Sequence, residues 1–190
     1  MNNDWIGIVS GLPRSGTSMM MQMLRAGGMD LLTDGVRSAD EDNPKGYYEY
    51  ELVKNLPSDT VWLTDARGKF VKIVSSLLEY LPDEYQYRTI FMLRDLREIV
   101  ASQNGMLISR GEQLEVSSDH EIQSDFELHL NGVRKWLADH PNFNTLYVAH
   151  REVMERPDDA VDRIIPFLGA DRNREAMIAT IDRSLYRKQV

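Results

Sequence analysis

The sequence predicts an α/β fold of three layers, in which helices cover both faces of a mostly parallel sheet. Short apolar runs rich in β-branched residues alternate along the 190 residues with stretches of helical periodicity. A loop rich in glycine and serine joins the first apolar run to the first helical stretch. Ligands of such sheets bind beyond the carboxyl ends of the strands, where this loop would lie. The length favours one domain, residues 1–190, large enough to bury a core.

Each predicted strand is a short apolar run bounded by polar or turn-forming residues. The strands are predicted over residues 5–9, 70–75, 88–93 and 143–149. Between the first helix and the second strand, residues 29–48 are dense in Asp, Asn, Gly and Pro and indicate an irregular loop.

The predicted helices follow from periodicity and from capping residues. They cover residues 17–26, 121–138 and 157–168, and one more begins at a capping-box pattern, Asp95 to Glu98. Gly169 should end the last helix, and Pro166 should kink it or stop it early. The Met19-Met20-Met21 run and Met23 should pack in the core.

Composition limits the possible functions. Asp and Glu total 30 against 22 Lys and Arg, a formal net charge of −8. We therefore expect no binding to nucleic acid, which needs a basic face. The absence of cysteine excludes disulfides and thiolate chemistry and fits a reducing compartment. Because the apolar run at residues 5–9 is too short for a signal peptide or a membrane span, we expect a cytoplasmic protein.

The loop from Gly11 to Ser18 has the sequence G-L-P-R-S-G-T-S. It is similar to the P-loop pattern G-x-x-x-x-G-K-[ST], with Thr17 in place of the lysine. Backbone N–H groups around Ser15, Gly16 and Thr17 would form a concave phosphate site at a helix N-terminus. Since the missing lysine is the one that reaches the β- and γ-phosphates, a ligand with one 5′-phosphate suits this loop better than ATP.

A second candidate phosphate site follows the strand at residues 88–93. Arg94 ends that strand, and Ser102 lies about two helical turns into the next helix. A planar guanidinium is well suited to charge-assisted hydrogen bonds with phosphate.

These two segments resemble the sulfotransferases that use 3′-phosphoadenosine 5′-phosphosulfate (PAPS). Residues 13–18 match the family pattern P-[KR]-S-G-T-[TS] at every position, in an arginine form that looks most like tyrosylprotein sulfotransferases and small bacterial members. Residues 94–102 resemble the family's R-[DN]-P-[RK]-[DE] strand–helix unit, with Leu96 in place of proline. The resemblance implies a P-loop fold and a cytoplasmic enzyme that transfers a sulfuryl group from PAPS to a hydroxyl acceptor, small or macromolecular. The product would be adenosine 3′,5′-bisphosphate, and no metal is needed.

The same resemblance implies which residues hold the donor. The 5′-phosphosulfate would be held by Pro13, Arg14, Ser15, Gly16, Thr17 and Ser18, and the 3′-phosphate by Arg94 and Ser102. Residues 147–157 look like a family segment whose tyrosine lies beside the nucleotide base, and His150 takes that tyrosine's position. Residues 184–188 resemble a C-terminal family segment, in which Arg187 or Lys188 could close over the 3′-phosphate; a frayed basic terminus is the alternative.

Sulfuryl transfer requires a base, cations near the leaving phosphate and an in-line arrangement of the two oxygens. Arg14 and Lys72 are the candidate cations. Lys72 lies within an apolar strand, where a lysine is costly unless it is paired, functional or at an edge facing water.

For the base, Glu49 is favoured because residues 43–49 (N-P-K-G-Y-Y-E) are similar to a segment of bacterial sulfotransferases. Asp34 and Glu51 are the competing carboxylates. The histidines on or beside the long amphipathic helix, His120, His129 and His140, are expected at solvated positions.

Two other functions stay open on the sequence alone. One is a P-loop kinase of a small metabolite, with Asp95 as a metal-associated acid. The other is a nucleotide-binding module without catalysis.

Overall fold

A four-stranded parallel sheet forms the centre of this computed structural model, which describes residues 4–40, 43, 46–112, 117–169 and 172–186. The strands are β1 (Trp5–Gly11), β2 (Phe70–Lys72), β3 (Gln86–Leu93) and β4 (Phe143–Ala149). Their order across the sheet is β2-β1-β3-β4. Because all four are parallel and in register, the residues that follow them meet at one edge.

Helices pack on this sheet from both sides. In the described part of the chain the α-helices are α1 (Thr17–Ala26), α2 (Leu96–Ser109), α3 (Asp119–Asp139), α4 (His150–Glu155), α5 (Pro157–Leu168) and α6 (Arg174–Ala179). Short 3₁₀ turns cover Glu51–Asn55, Val61–Ala66, Ser75–Tyr80 and Arg183–Leu185. No helix among these residues is long and apolar enough to cross a membrane.

Two hydrophobic cores lie on opposite faces of the sheet because successive strand residues point to opposite sides. In β3, Tyr87 and Phe91 belong to the core that packs against α3 and the 3₁₀ turns. Ile90 and Met92 belong to the core beneath α1, α4, α5 and α6. These two layers of helices confirm the predicted three-layer α/β fold. Met20, Met21 and Met23 of α1 are fully buried, as predicted. Met19 is only partly buried: it packs against the same core and also lines the cavity at the end of the sheet.

Most predicted elements are confirmed, with local corrections. The strand predicted over residues 70–75 ends at Lys72, because the chain turns at Val74 into a 3₁₀ segment. The predicted capping box at Asp95 is incomplete: Asp95 accepts a hydrogen bond from the Arg97 N–H, but Glu98 turns back to Arg94 instead.

The early stop predicted at Pro166 is wrong, because α5 continues to Leu168 and ends at Gly169. The sequence patterns did not predict α4, α6 or the 3₁₀ turns. These elements are only three to six residues long, too short to show a periodicity.

We predict opposite effects of the same substitution at two glycines. An alanine Cβ at Gly7 of β1 would lie 2.5 Å from the buried Phe70 ring, whereas at Gly132 of α3 it would meet nothing within 4 Å. Gly7→Ala should therefore destabilise the protein by roughly 1–3 kcal/mol through overpacking. Gly132→Ala should stabilise it by about 0.5–1 kcal/mol, because the unfolded chain loses freedom. Urea unfolding measures both, and a Gly7→Ala variant as stable as the wild type would contradict this packing.

Candidate active site

A cavity of about 820 Å³ opens at the carboxyl edge of the sheet. Residues that follow each of the four strands line it: the loop after β1, Lys72 to Val74 at β2, Arg94 after β3 and His150 after β4. Its volume lies within the range of pockets that hold small-molecule ligands and cofactors.

Most of the residues singled out in the sequence come together in this cavity. Its lining includes Pro13, Arg14, Gly16, Thr17, Ser18, Glu49, Lys72, Arg94, Ser102 and His150. Ser15 is buried behind the loop and is absent from the lining. Arg187 and Lys188 lie outside the described residues.

The loop after β1 leaves the N-terminus of α1 open toward the cavity. The backbone is left-handed at Arg14 (φ 67°) and at Gly16 (φ 98°), on either side of Ser15. Gly16 precedes α1, no side chain caps that helix, and its first turn has no acidic residue. The first N–H groups of α1 and the positive end of its dipole are therefore available to an anion.

Gly16 could not be replaced by a residue with a side chain. A Cβ at this position would lie 2.6 Å from Cδ2 of His150. The first loop and the beginning of α4 are therefore in close contact at this point.

Arg14 reaches from the first loop to α2. Its Nε lies 3.1 Å from the Ser102 hydroxyl oxygen, and its Nη1 lies 4.0 Å from the Met106 sulfur. Ser102 and Met106 are four residues apart and so lie on one face of α2. The sequence pattern grouped Ser102 with Arg94, whereas the structure places its hydroxyl within hydrogen-bond distance of Arg14.

Arg94 is buried in a network of hydrogen bonds. Its Nη1 donates to the backbone oxygen of Arg14 (2.9 Å), and its Nε donates to Glu98 Oε2 (2.8 Å). The other carboxylate oxygen of Glu98 accepts from the Tyr186 hydroxyl (2.8 Å). Nη2 of Arg94 makes no hydrogen bond to the described residues, so this nitrogen remains available in the cavity wall.

Lys72 and Glu49 form an ion pair in the cavity wall. Lys72 Nζ donates to Glu49 Oε1 (3.1 Å) and to the Tyr47 backbone oxygen (2.5 Å). Burial lowers the pKa of the Lys72 ammonium from its ordinary value, and the nearby Glu49 carboxylate opposes that shift. Lys72 is thus a buried, paired lysine and not one that faces water from an edge strand.

Sequence analysis overlooked a second cation at Glu49. Arg37 Nη1 donates to the same Glu49 Oε1 at 3.1 Å, and its guanidinium lies 3.4 Å above the Tyr47 ring. Glu49 therefore contacts two cations, Arg37 and Lys72. Arg37 is the only basic residue between Arg25 and Lys45. This isolated position was the only feature of the sequence that could have pointed to a role for Arg37 in the site.

The competing carboxylates do not line the cavity. Asp34 accepts hydrogen bonds from the backbone N–H groups of Glu51 (2.5 Å) and Val36 (3.0 Å), and these bonds lower its pKa. Glu51 pairs with Lys54 at 2.7 Å. Glu49 is the one member of the three that faces the site.

His150, the first residue of α4, also lines the cavity. It is 7% exposed, and its ring meets the Tyr186 ring edge to face with centroids 5.2 Å apart. Its Nδ1 is buried without a hydrogen-bond partner among the described residues. Thr180 and Asp182, which the sequence patterns did not single out, also line the cavity.

The remaining histidines differ from expectation in part. His120 is exposed, as predicted. His129 and His140 are half-buried: His129 Nε2 lies 2.9 Å from the Ser75 hydroxyl, and His140 stacks on Trp136 with ring centroids 4.0 Å apart. His129 thus faces the 3₁₀ turn Ser75–Tyr80, whereas His140 folds back onto Trp136 of α3 itself.

Solved structures show what the chain is similar to. No protein-family model and no curated protein matches it. The sulfotransferase domain of the Synechococcus PCC 7002 olefin synthase aligns at 15% identity over 97% of this chain and 80% of that one, with a TM-score of 0.54. The sulfotransferase domain of the curacin biosynthetic pathway aligns at 13% identity over 98% of this chain and 92% of that one, with a TM-score of 0.57.

A third similar structure is the mouse sulfotransferase SULT7A1 in complex with PAP. It aligns at 17% identity over 97% of this chain and 65% of that one, with a TM-score of 0.56. At these identities the likeness shows the fold: the chain folds like sulfotransferase domains.

We predict that His150 makes the protein less stable in mild acid. Burial, with a contribution from the nearby Arg94 charge, lowers the pKa of His150 from 6.5 to about 3. Between these values the unfolded chain binds a proton that the folded protein does not, so stability rises with pH there and is lost as pH falls below about 6.5. The loss from this residue should approach about 1.4 kcal/mol per pH unit.

Urea unfolding of the wild type and of His150→Asn near pH 7 and near pH 5 measures this loss. The variant should lose less stability on acidification, whereas His120→Asn, at an exposed position, should behave like the wild type. Equal pH dependence in all three proteins would show that His150 does not stay neutral in the fold.

Proposed function

We propose that this protein is a sulfotransferase that passes a sulfuryl group from PAPS to a hydroxyl acceptor, acting as one domain over residues 1–190 without a metal. One observation carries the proposal. A single cavity combines an open helix N-terminus beside Arg14, a second guanidinium at Arg94, and a carboxylate–lysine pair at Glu49 and Lys72. The similarity of the fold to sulfotransferase domains supports it.

The residues present fit a nucleotide with two separate phosphate groups. The N-terminus of α1 and Arg14 would hold the 5′-phosphosulfate, with Thr17 and Ser18 in the first turn of the helix. Arg94 would use its unengaged Nη2 for the 3′-phosphate, with Ser102 as a hydroxyl donor. His150 is neutral, and its buried Nδ1 has no hydrogen-bond partner among the described residues. It would lie against the adenine base of the nucleotide.

When bound, PAPS supplies a sulfuryl group that is transferred to the acceptor oxygen as the bond to its 5′-phosphate breaks. Glu49 is suited to take the proton of the acceptor hydroxyl, because both of its cation contacts use Oε1. Its Oε2 makes no hydrogen bond to the described residues and is open to a proton donor. Lys72 and Arg14 would stabilise the negative charge that develops on the leaving group.

The kinase alternative has no comparable support. Asp95, its candidate metal-associated acid, does not line the cavity. Its carboxylate accepts from the backbone and the side chain of Arg97 and so begins α2. A binding module without catalysis would not explain why Glu49 and Lys72 are paired inside the cavity, where burying charges is costly.

Calorimetric titration with adenosine 3′,5′-bisphosphate, beside ADP and ATP with and without magnesium, tests the proposal. We predict tight, magnesium-independent binding of the bisphosphate alone. Replacing Arg94 should weaken this binding by roughly 10–100-fold, since a hydrogen bond to a charged group is worth about 1.5–3 kcal/mol. ADP, which lacks the 3′-phosphate, should be affected far less.

Because Arg94 also neutralises Glu98, the variant to use is the double substitution Arg94→Gln with Glu98→Gln, which leaves no unpaired buried charge. Glu98→Gln alone is the control: it lowers the stability of the free protein because Arg94 loses its counter-charge, but it keeps the Arg94 guanidinium and should retain bisphosphate binding. A preference of the wild type for ATP with magnesium would overturn the proposal in favour of a kinase. Equal losses for ADP and the bisphosphate in the double variant would remove Arg94 from 3′-phosphate binding.

We predict that Glu49→Gln lowers the transfer rate by about 100-fold or more, the usual contribution of a general base, with little change in bisphosphate affinity. Transfer is measured with a panel of phenol, alcohol and sugar acceptors. Glu51→Gln, two residues away and outside the cavity, is the matched control and should transfer at the wild-type rate. A near-normal rate in Glu49→Gln would remove this carboxylate from the mechanism.

A further inference from the structure

Beyond Glu49 the cavity continues into an end that the proposed donor sites do not use. This end lies between residues 34–40 and 46–49 on one side and the C-terminal part of α2 on the other. Its lining side chains include Arg37, Asn43, Gln103, Ser109 and Arg110. Arg110 and Asp40 approach to 3.8 Å, which brings the two walls together.

Two basic side chains, Arg37 and Arg110, line this end, and each has a carboxylate nearby: Glu49 for Arg37 and Asp40 for Arg110. Arg14, Lys72 and Arg94 are assigned to the donor and the leaving group, which leaves Arg37 and Arg110 among the lining cations. Glu49 is the only acidic residue described in the lining of this end. Asp182, the other acidic lining residue, shortly precedes Tyr186, whose ring contacts His150.

Arg37 is held in a defined orientation. Its guanidinium carbon lies 3.4 Å from the centre of the Tyr47 ring. The Tyr47 hydroxyl donates to Asp40 (2.7 Å), and the Tyr47 backbone oxygen accepts from Ser18 (3.2 Å) and Lys72. One nitrogen, Nη1, contacts Glu49. The side chain is 38% exposed, and a guanidinium carries five N–H donors, more than the single contact with Glu49 uses.

We propose that Arg37 selects hydroxyl acceptors that carry an anionic group, such as a carboxylate or a phosphate, near the hydroxyl. This inference rests on the proposed function of the same site. A guanidinium that holds Glu49 through one nitrogen and an acceptor anion through the others places the acceptor beside the base. It also offsets the repulsion that an anionic acceptor would meet from Glu49 and from a protein with a net charge of −8.

The test compares 4-hydroxybenzoate with 4-hydroxybenzamide, which share the ring and the hydroxyl and differ in charge near pH 7. Calorimetric titration into protein saturated with adenosine 3′,5′-bisphosphate gives binding, and turnover with PAPS gives transfer. The wild type should bind and sulfate the benzoate at least about 10-fold better than the amide, as one charge-assisted hydrogen bond implies. In Arg37→Gln this preference should fall to about twofold or less. Arg151→Gln, at an exposed position outside the cavity, should keep it.

The outcomes separate this inference from the proposed function. If the wild type shows no preference between the two acceptors, or if the preference survives Arg37→Gln, the inference is overturned while transfer to the amide leaves the proposed function standing. If neither compound nor the wider acceptor panel is sulfated, the proposed function fails, and the assignment of Arg37 to an acceptor fails with it. An anion preference in binding and transfer that depends on Arg37 supports both.

Discussion

The buried Arg94 guanidinium connects the parts of the molecule that form the cavity. It lies at the carboxyl end of β3, donates to the backbone of Arg14 in the first loop, and pairs with Glu98 in the first turn of α2. Glu98 in turn accepts from Tyr186, far along the chain. Breaking such a pair by removing one partner typically costs about 3–5 kcal/mol, because the other charge stays buried alone. One side chain therefore fixes the loop, the helix and the C-terminal segment relative to the sheet.

The parallel sheet explains why the other cavity residues lie near Arg94. Each strand ends at the same edge, so Lys72 at the end of β2 and His150 directly after β4 reach one cavity although they are far apart in the chain. Alternation along β1 and β3 places one core on each face, and the helices that cover these cores keep the edge as the open side. The position of the site is thus a consequence of strand direction and not of any single motif.

A feature of this structure could be predicted from the sequence only where a local sequence pattern specifies it. The strands, the long helices and the loop from Gly11 to Ser18 have local patterns, and those patterns were sufficient for the fold. The contact of Arg37 with Glu49 has no local pattern, because the two residues are 12 apart in the sequence and neither belongs to a helix or a strand. The turn of Glu98 toward Arg94 was missed for a related reason: a capping box is a local preference, and a buried arginine competes with it for the same carboxylate.

The cations of the cavity differ in whether a carboxylate neutralises them. Arg94 is paired with Glu98, and both Arg37 and Lys72 with Glu49, so these charges are compensated before any ligand arrives. Arg14 is different: its described contacts are a hydroxyl and a thioether, and no carboxylate of the described residues pairs with it. A partly buried cation without a counter-charge gains most from an anionic ligand, because nothing has to be displaced. Arg14 also lies next to the open N-terminus of α1, where the helix dipole adds in the same direction. Among the cavity cations of the described residues, Arg14 therefore offers an anion the attraction that is least opposed by a carboxylate.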